Sequence, residues 1–363
     1  MAKPDIIFAD VNTIWHRRLA EALAAETQVI GIAPFTSPTA KASEEKTGEG
    51  QLRVEQPFVP PGWASRTAFI GQRLLCRRIL RLARDLENPV VLLTSPAYAP
   101  LAAMLDGKLP IVTYTADDYA SYSGWGNARQ REAAMQRRAC LSAYVSDALR
   151  QRAIAEDNIP AARTVTSANA TEKRFAERED SELDMLKGRK APVLGVLGGL
   201  SDRLDLALIE RVIALEEVGT FLVAGPVVDD LTAAHPALRS EKVVITGRLP
   251  HEQMHLYAQA MDAALIPYAA TQLNHFCSPM RLYDHLATGV PIFALPTCDQ
   301  VTNYPADHIS VGSADALLMT IAEEICHPRV LQTGNGIYWS DRAVELLAAI
   351  GKNCTMSLES AAK

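Results

Sequence analysis

The sequence predicts an α/β protein with two domains, each a doubly wound parallel sheet covered by helices. The first observation is an alternation of short apolar runs with longer amphipathic segments along the chain, which is typical of parallel sheets with helical crossovers. The second is the length of 363 residues, which fits two domains of ordinary size. The third is a charged, polar stretch at residues 176–191, which we interpret as a linker between the two sets of apolar runs.

The first half of the chain alternates predicted strands and helices. A helix is predicted from about residue 16 to residue 25, and the Ser-, Thr-, Glu- and Gly-rich stretch 37–51 is predicted to be a loop. The predicted strands are residues 5–10, 28–32, 90–94, 111–115, 143–146 and 164–167.

One predicted helix of the first half, residues 66–84, is unusually basic. Its six arginines alternate with apolar side chains and no acidic residue interrupts them. Such a helix could pack one face on the sheet and present the other to anionic lipid headgroups. A solvated helix face, or arginines that serve an internal phosphate site, are the alternatives. The arginines are Arg66, Arg73, Arg77, Arg78, Arg81 and Arg84.

Two acidic residues, Asp117 and Asp118, directly follow the predicted strand 111–115. Ligands of open α/β sheets bind at the carboxyl ends of the strands, where a carboxylate can accept a proton from a substrate. The alternative is that one of the two caps the following helix. His16, after the first strand, is a lesser candidate for the same role, with a structural histidine as the alternative.

Composition excludes several classes of protein. The net charge of −6 argues against a nucleic-acid-binding protein, because a protein-wide basic field is absent. The six cysteines form no CxxC pair or metal-ligand spacing, which favours a reducing compartment. Neither a signal peptide nor an apolar run of membrane-spanning length is recognised. We therefore expect a cytoplasmic protein with no metal site.

The second half repeats the alternation, with helices expected near 251–260 and 314–326. Gly198 and Gly199 follow its first strand, and they would let the backbone approach a ligand closely. Arg203 could then reach a diphosphate. The run lacks the GxGxxG spacing of a dinucleotide fingerprint, and a plain strand–helix turn is the alternative. The predicted strands are residues 192–197, 220–224, 242–246, 263–267 and 291–295.

The helix predicted at residues 278–288 has signals at both ends. Ser278 is expected to be its N-cap, Pro279 its first residue, and Gly289 its left-handed end. Because it starts at a carboxyl edge, its first N–H groups would attract a phosphate. The positive charge of Arg281 is unfavourable in the first turn of a helix, where the macrodipole favours negative charge. A bound anion would explain an arginine at this position. An ordinary surface pair of Arg281 with Asp284 is the alternative.

This segment also carries a resemblance to a known family. Ser278 to Asp284 (Ser-Pro-Met-Arg-Leu-Tyr-Asp), with Gly289 and Pro291 beyond it, resembles the donor-nucleotide segment of GT-B glycosyltransferases. Before it come Val-Ala-Gly-Pro at 223–226, Gly-Arg-Leu-Pro at 247–250 and Asp-Ala-Ala-Leu-Ile-Pro-Tyr at 262–268, in the order of that family's C-terminal domain. The resemblance extends along roughly residues 190–330. Within the family, the chain resembles inverting members of the glucuronosyltransferase type.

The resemblance implies a specific architecture. Two Rossmann-like doubly wound domains would face a cleft, and a C-terminal helix would cross back onto the first domain. The acceptor-binding domain would be residues 1–175 and the linker 176–191. The nucleotide-sugar-binding domain would be residues 192–335, and the returning helix 336–363.

The resemblance also implies roles for individual residues. Gly225 and Arg248 would border the pocket for base and phosphate, and Asp284 would accept hydrogen bonds from the ribose hydroxyls. The other residues implied to bind the donor are Gly198, Gly199, Arg203, Tyr268, Ser278, Met280 and Arg281. Phe276 stands where many retaining members have a Glu, so the retaining mechanism is not carried over. Asp118 or Asp117 is the candidate base of an inverting reaction.

The sequence therefore predicts a metal-independent glycosyltransferase of hexosyl or glycuronosyl groups. No cofactor is expected. The substrate would be a nucleoside-diphosphate sugar, UDP- or GDP-linked, and the acceptor a hydroxyl of a glycan or lipid-linked sugar in polysaccharide or glycoconjugate biosynthesis. The enzyme would work in the cytoplasm, peripheral at the inner face of the cell membrane. A nucleotide-sugar epimerase on the same fold, or a non-catalytic nucleotide-sugar-binding protein, are the alternatives.

Overall fold

The structure is a computed structural model. It describes residues 3–36, 52–60, 68–122, 126–179, 183–304, 306–326 and 336–361. The predicted loop 37–51 and Arg66 lie outside the described residues.

The backbone forms two compact units. Unit 1 comprises Met1–Asn169 together with Trp339–Lys363, and unit 2 comprises Ala170–Tyr338. The division after Asn169 lies ahead of the charged stretch 176–191 that the sequence marks as a linker.

Unit 1 contains one sheet of seven parallel strands in the order β3-β2-β1-β4-β5-β6-β7. The strands of its centre are buried on both faces, which explains their continuous apolar sequences. In chain order the elements are β1 (Asp5–Ala9), α1 (Ile14–Ala24), β2 (Val29–Ile32), β3 (Leu52–Glu55), α2 (Ala68–Leu82), β4 (Pro89–Leu93), α3 (Ala99–Leu105), β5 (Ile111–Thr115), α4 (Ala128–Gln136), β6 (Leu141–Tyr144), α5 (Asp147–Glu156) and β7 (Thr164–Thr166).

Unit 2 contains a sheet of six parallel strands in the order β10-β9-β8-β11-β12-β13. In chain order the elements are β8 (Val193–Leu197), α6 (Leu206–Ala214), β9 (Thr220–Ala224), α7 (Asp230–Ala233), β10 (Val243–Ile245), α8 (Met254–Gln259), β11 (Ala263–Ile266), α9 (Gln272–Phe276), α10 (Met280–Thr288), β12 (Ile292–Ala294), α11 (Asp299–Thr302), β13 (Ile309–Val311) and α12 (Ala314–Glu324).

The C-terminal helix α13 (Trp339–Ala361) belongs to unit 1, where it packs against α1 and β6. This confirms the predicted return of the last helix. A disulfide between Cys140 and Cys354 joins α13 to the residue before β6, across a sequence separation of 214. The sequence favoured a reducing compartment and did not predict this pair, because spacing in sequence does not reveal a contact of such long range.

Two edge strands were not predicted from the sequence, β3 and β13. In β3 the buried Leu52 is followed by the exposed Arg53, whose guanidinium pairs with Glu55. In β13 none of the three residues is fully buried. An edge strand is covered less than a central one, so its sequence is less apolar and its signal is weaker.

Each sheet has one point where the chain reverses the direction in which it adds strands. In unit 1 this switch point lies between β1 and β4, and in unit 2 between β8 and β11. At such a point the neighbouring crossovers run to opposite sides, and the crevice left at the carboxyl ends of the strands is where open α/β sheets hold ligands.

Within the described ranges, no helix is both long enough and apolar enough to cross a bilayer.

Candidate functional site

The N-terminus of α10 lies at the carboxyl edge of the unit 2 sheet and has no side-chain cap. The helix begins at Met280 with Pro279 as its N-cap, so the prediction that Ser278 caps it was wrong. Ser278 precedes the cap by one residue, and its hydroxyl instead lies 3.2 Å from the hydroxyl of Tyr283. The first N–H groups of a helix have no intrahelical acceptor, so those of α10 are available to an anion. Gly289 ends the helix at φ +73°, as predicted.

Arg281 extends from the first turn of α10 towards the loop after β8. Its Nη1 is buried and has no hydrogen-bond partner among the residues that the structure describes. A Cβ at Gly198, which has φ +89°, would lie 3.2 Å from its Nη2. A buried donor without an acceptor costs free energy, more so when it is charged, and native proteins rarely leave one so. An anionic ligand beside Gly198 would satisfy it.

Arg203 brings a second guanidinium to the same place. Its Nε donates to Oδ1 of Asn274 at 3.0 Å, and the amide of Asn274 donates back to the Arg203 carbonyl at 2.8 Å. The Cζ atoms of Arg203 and Arg281 lie 5.7 Å and 5.2 Å from the ring centroid of Tyr268. Tyr268 follows β11, and burial raises its pKa to about 12. The unit 2 switch point therefore holds two positive charges over one neutral ring, an arrangement suited to a diphosphate.

The glycines predicted to bind the donor meet in the loops after β8 and β9. The Gly198 N–H donates to the carbonyl of Ala224 at 2.9 Å. A Cβ at Gly225 would lie 2.5 Å from the carbonyl carbon of Gly198, and one at Gly199 would lie 3.2 Å from the carbonyl oxygen of Pro226. Only glycine permits this approach, which places backbone beside the guanidinium of Arg281.

We expect Gly225→Ala to displace the Gly198 turn and to weaken binding of a nucleoside diphosphate at least tenfold. The added methyl group would overlap backbone atoms rather than a movable side chain, so the turn itself must shift. Isothermal titration with UDP measures the effect. Gly351→Ala is the matched control, because a Cβ at Gly351 meets no atom within 4 Å. Equal affinity of the Gly225→Ala protein and the wild type would contradict the role of this contact.

Asp284 lies one turn further along α10 and is buried. Its Oδ1 accepts a hydrogen bond from the hydroxyl of Thr171 at 2.6 Å. Burial raises the pKa of Asp284 to about 7, although the bond from Thr171 opposes the rise. Glu172 and His251 face it, and their side chains contact each other at 3.1 Å. The carboxyl group is thus close to half ionised at neutral pH.

The remaining residues predicted to bind the donor lie around this core of the site. Met280 is the first residue of α10 and is partly buried. Arg248 is exposed and makes no hydrogen bond or ion pair with other residues that the structure describes; it follows Gly247, which has φ +71°. Thr171 and Asn274 were missed from the sequence, since they are 113 and 71 residues from the side chains that they contact.

The predicted catalytic carboxylates follow β5 in unit 1. Asp118 is fully buried and forms an ion pair of 2.9 Å with Arg152, whose side chain is only 10% exposed. Asp117 is partly exposed. Its Oδ1 accepts from the Asp118 N–H at 3.0 Å, and its Oδ2 from the Tyr122 hydroxyl at 2.5 Å. Of the two, only Asp117 has surface that a substrate could contact without rearrangement.

His16 is buried in α1, with Nδ1 at 3.1 Å from the carbonyl oxygen of Asp10. Its Nε2 has no partner, and burial lowers its pKa to about 4, so the ring is neutral at pH 7. Asp10 is the residue after β1, at the unit 1 switch point, and has φ +74°. A non-glycine residue in this region is uncommon and is found preferentially at functional sites. Burial also raises the pKa of Asp10. The sequence reasoning missed Asp10, although an acidic residue directly after a central strand was a usable signal.

Among the residues that the structure describes, no three or more His, Cys, Asp or Glu side chains are grouped so that they could hold a metal ion.

The two doubly wound units and the returning α13 define the fold as GT-B, which confirms the prediction. No family model matches the chain. A stretch of 130 residues is 28% identical to the putative teichuronic acid biosynthesis glycosyltransferase TuaH of Bacillus subtilis; it covers 36% of this chain and 33% of that protein, so the match spans about a third of this curated relative.

Two solved structures resemble the chain over nearly its whole length. Sucrose-phosphate synthase from Thermosynechococcus elongatus has a TM-score of 0.67 and 14% identity, over 99% of this chain and all of that one. Anabaena Alr3699/HepE, solved in complex with UDP and glucose, has a TM-score of 0.66 and 15% identity, over 99% and 100% of the two chains. At these identities the similarity concerns the fold.

Proposed function

We propose that the protein is a glycosyltransferase that moves a sugar from a nucleoside-diphosphate sugar to an acceptor hydroxyl. The observation that supports it most is the buried, unpartnered Nη1 of Arg281 at the uncapped N-terminus of α10. A guanidinium and free N–H groups that converge on one point match the charge and the acceptor oxygens of a diphosphate. The UDP bound by Anabaena HepE supports UDP as the nucleotide.

The same groups would assist the chemical step. When the glycosidic bond to the diphosphate breaks, negative charge grows on the leaving oxygen, and preorganised donors stabilise it. Arg281, Arg203 and the α10 N–H groups would supply this stabilisation. Gly198, Gly199 and Gly225 would admit the phosphates, and Ser278, Met280 and Arg248 would border them. Asp284 would hold the ribose.

The acceptor hydroxyl needs a group that takes its proton. We propose the carboxylate of Asp10, because it lies at the unit 1 switch point and its raised pKa brings it closer to neutrality, where a general base is effective. Asp117 is the second candidate, since it is partly exposed. Asp118 would fix the position of Arg152 through their ion pair. His16 would fix the backbone of Asp10 through its contact with the Asp10 carbonyl. Attack with Asp10 as base would invert the anomeric centre.

The finer specificity is part of the proposal. The transferred group is a hexosyl or glycuronosyl residue, and the acceptor is a glycan or a lipid-linked sugar. The partial similarity to a protein named for teichuronic acid biosynthesis supports a polysaccharide product. The reaction would take place in the cytoplasm, at the inner face of the cell membrane.

The test combines binding with turnover. Full-length protein is screened by thermal shift against UDP-, GDP-, ADP- and dTDP-sugars, since a ligand of the folded state raises the melting temperature. The sugar nucleotide that raises it is then assayed for release of nucleoside diphosphate with and without a lipid-linked or oligosaccharide acceptor. We expect release of nucleoside diphosphate that depends on the acceptor. This release should fall in Asp10→Asn while the thermal shift persists.

Other outcomes would favour the alternatives. Formation of a new sugar nucleotide without acceptor would indicate an epimerase, and a thermal shift without turnover would indicate a binding protein. No shift with any of the four would contradict the proposed site.

A further inference from the structure

Helix α2 of unit 1 is amphipathic, and one of its faces packs on the core while the opposite face is exposed among the residues that the structure describes. Leu75, Ile79 and Leu82 are buried in the core of unit 1, against side chains of β4 and α3. Gln72 extends from the same face and donates to the carbonyl of Ala97 at 2.9 Å. These contacts fix which face of α2 points outward.

The outward face carries large apolar side chains at its N-terminal end. Phe69 is 54% exposed, Ile70 64% and Leu74 44%. Single exposed apolar residues are ordinary, but three on adjacent turns of one helix form a patch. On a helix of 3.6 residues per turn, Ile70 and Leu74 lie on one line, and Phe69 borders it.

The same face continues as a row of arginines. Arg73, Arg77 and Arg81 of α2 are exposed, and Arg84 continues this face in the turn that follows the helix, beside the exposed Asp85. The spacing of three to four residues keeps the arginines on the side of Ile70 and Leu74. None of the four forms an ion pair with another residue that the structure describes. The guanidinium of Arg73 lies 4.0 Å from the ring centroid of Phe69, so charge and apolar surface adjoin.

Arg78 does not belong to this face, although the sequence grouped it with the others. It is half-buried and pairs with Glu55, which also pairs with Arg53. These guanidinium groups hold the pKa of Glu55 below its usual value. The carboxylate of Glu55 is therefore neutralised on the flank of the helix by Arg53 and Arg78.

We propose that this face of α2, made of Phe69, Ile70, Arg73, Leu74, Arg77, Arg81 and Arg84, docks on a bilayer of anionic lipids. The apolar end enters the boundary between headgroups and acyl chains, and the arginines contact lipid phosphates. The face is basic although the whole chain has a net charge of −6, so the attraction comes from the local arrangement of charge and would set the orientation of unit 1. A site for single-stranded nucleic acid would need a groove with several aromatic side chains on which bases stack, whereas this helix face combines one aromatic ring, Phe69, with the aliphatic Ile70 and Leu74.

Docking would place unit 1 at the surface where a lipid-linked acceptor resides. That consequence rests on the proposed function, whereas the bilayer contact does not. The two can therefore fail separately: vesicle binding needs no nucleotide sugar, and the thermal shift with a nucleotide sugar needs no vesicles.

The experiment is sedimentation of full-length protein with vesicles of phosphatidylcholine, alone or mixed with phosphatidylglycerol. We expect binding only to the mixed vesicles, weakened by salt. Each arginine near an anionic surface contributes on the order of a fivefold change in affinity, so the triple variant Arg73→Gln, Arg77→Gln, Arg81→Gln should bind about a hundredfold less. The charge-matched control replaces the exposed Arg137, Arg138 and Arg211 with Gln and should bind as the wild type does.

A second variant, Ile70→Ser with Leu74→Ser, keeps every charge and tests insertion. We expect at least tenfold weaker binding, with an unchanged melting temperature and nucleotide-induced shift. Full binding by the triple variant, equal loss in the control, or no binding of the wild type to the mixed vesicles would overturn the proposal. Full binding by the serine variant would overturn the insertion of the apolar end. Inorganic phosphate at millimolar concentration should not compete; if it releases the protein, the face is a site for free phosphate instead.

Discussion

Replacing Arg281 with alanine is expected to weaken binding of UDP or a UDP-sugar between about tenfold and 150-fold. A hydrogen bond to a charged group contributes about 1.5–3 kcal/mol, and Arg281 would supply such bonds to the diphosphate. Its Nη1 is buried without a partner, so the ligand does not compete with an existing contact. Removal of the side chain also relieves the cost of an unsatisfied donor, and the variant should melt no lower than the wild type. Isothermal titration measures the affinity, and a thermal scan without ligand measures the stability.

Two further variants separate charge from geometry at this position. Arg281→Lys keeps the charge and loses the planar fork, so its affinity should lie between those of the wild type and the alanine variant. Arg211→Ala is the control, because Arg211 belongs to the same unit but its guanidinium is exposed and pairs with Asp315 at 2.6 Å. If Arg281→Ala and Arg211→Ala bind UDP equally well, the diphosphate does not bind at the N-terminus of α10.

The position of this site followed from local sequence signals. Continuous apolar runs identified the strands of both sheets except the edge strands β3 and β13, since a strand buried on two faces has an apolar sequence throughout. The end of α10 at Gly289 was predicted from the glycine alone. Two glycines after β8 and an arginine in the first turn of α10 then marked the edge of the sheet where ligands bind. Each of these signals lies within a short stretch of the chain, of about ten residues.

Contacts between distant segments could not be predicted in the same way. The hydrogen bonds from Thr171 to Asp284 and from Arg203 to Asn274 join segments that are far apart in the chain. They depend on how these segments pack once the sheet has formed. The ion pair of Asp118 with Arg152 likewise joins the loop after β5 to α5. A sequence displays two carboxylates, but it does not reveal which of them a buried guanidinium already holds.

Binding of a nucleotide sugar is expected to strengthen by about tenfold between pH 6 and pH 8. Burial raises the pKa of Asp284 to about 7 in the free protein. If Asp284 holds the ribose as proposed, the ionised carboxylate would accept hydrogen bonds from both ribose hydroxyls better than the neutral acid would, so binding would favour the ionised form and release a proton. Below the pKa, affinity then falls tenfold for each pH unit, and above it affinity levels off. Isothermal titration at several pH values measures this slope.

Asp284→Asn is the variant that identifies the titrating group. An amide oxygen still accepts the bond from Thr171, and it does not ionise, so the slope between pH 6 and pH 8 should disappear while affinity at pH 8 falls about tenfold or more. The ligand should be a nucleotide sugar rather than free UDP. The diphosphate of a nucleotide sugar is esterified at both ends, so it does not titrate between pH 6 and pH 8. Glu172, His251 and Arg281 also face Asp284. A slope that persists in Asp284→Asn would show that Asp284 is not the titrating group and would place the ribose elsewhere than on Asp284.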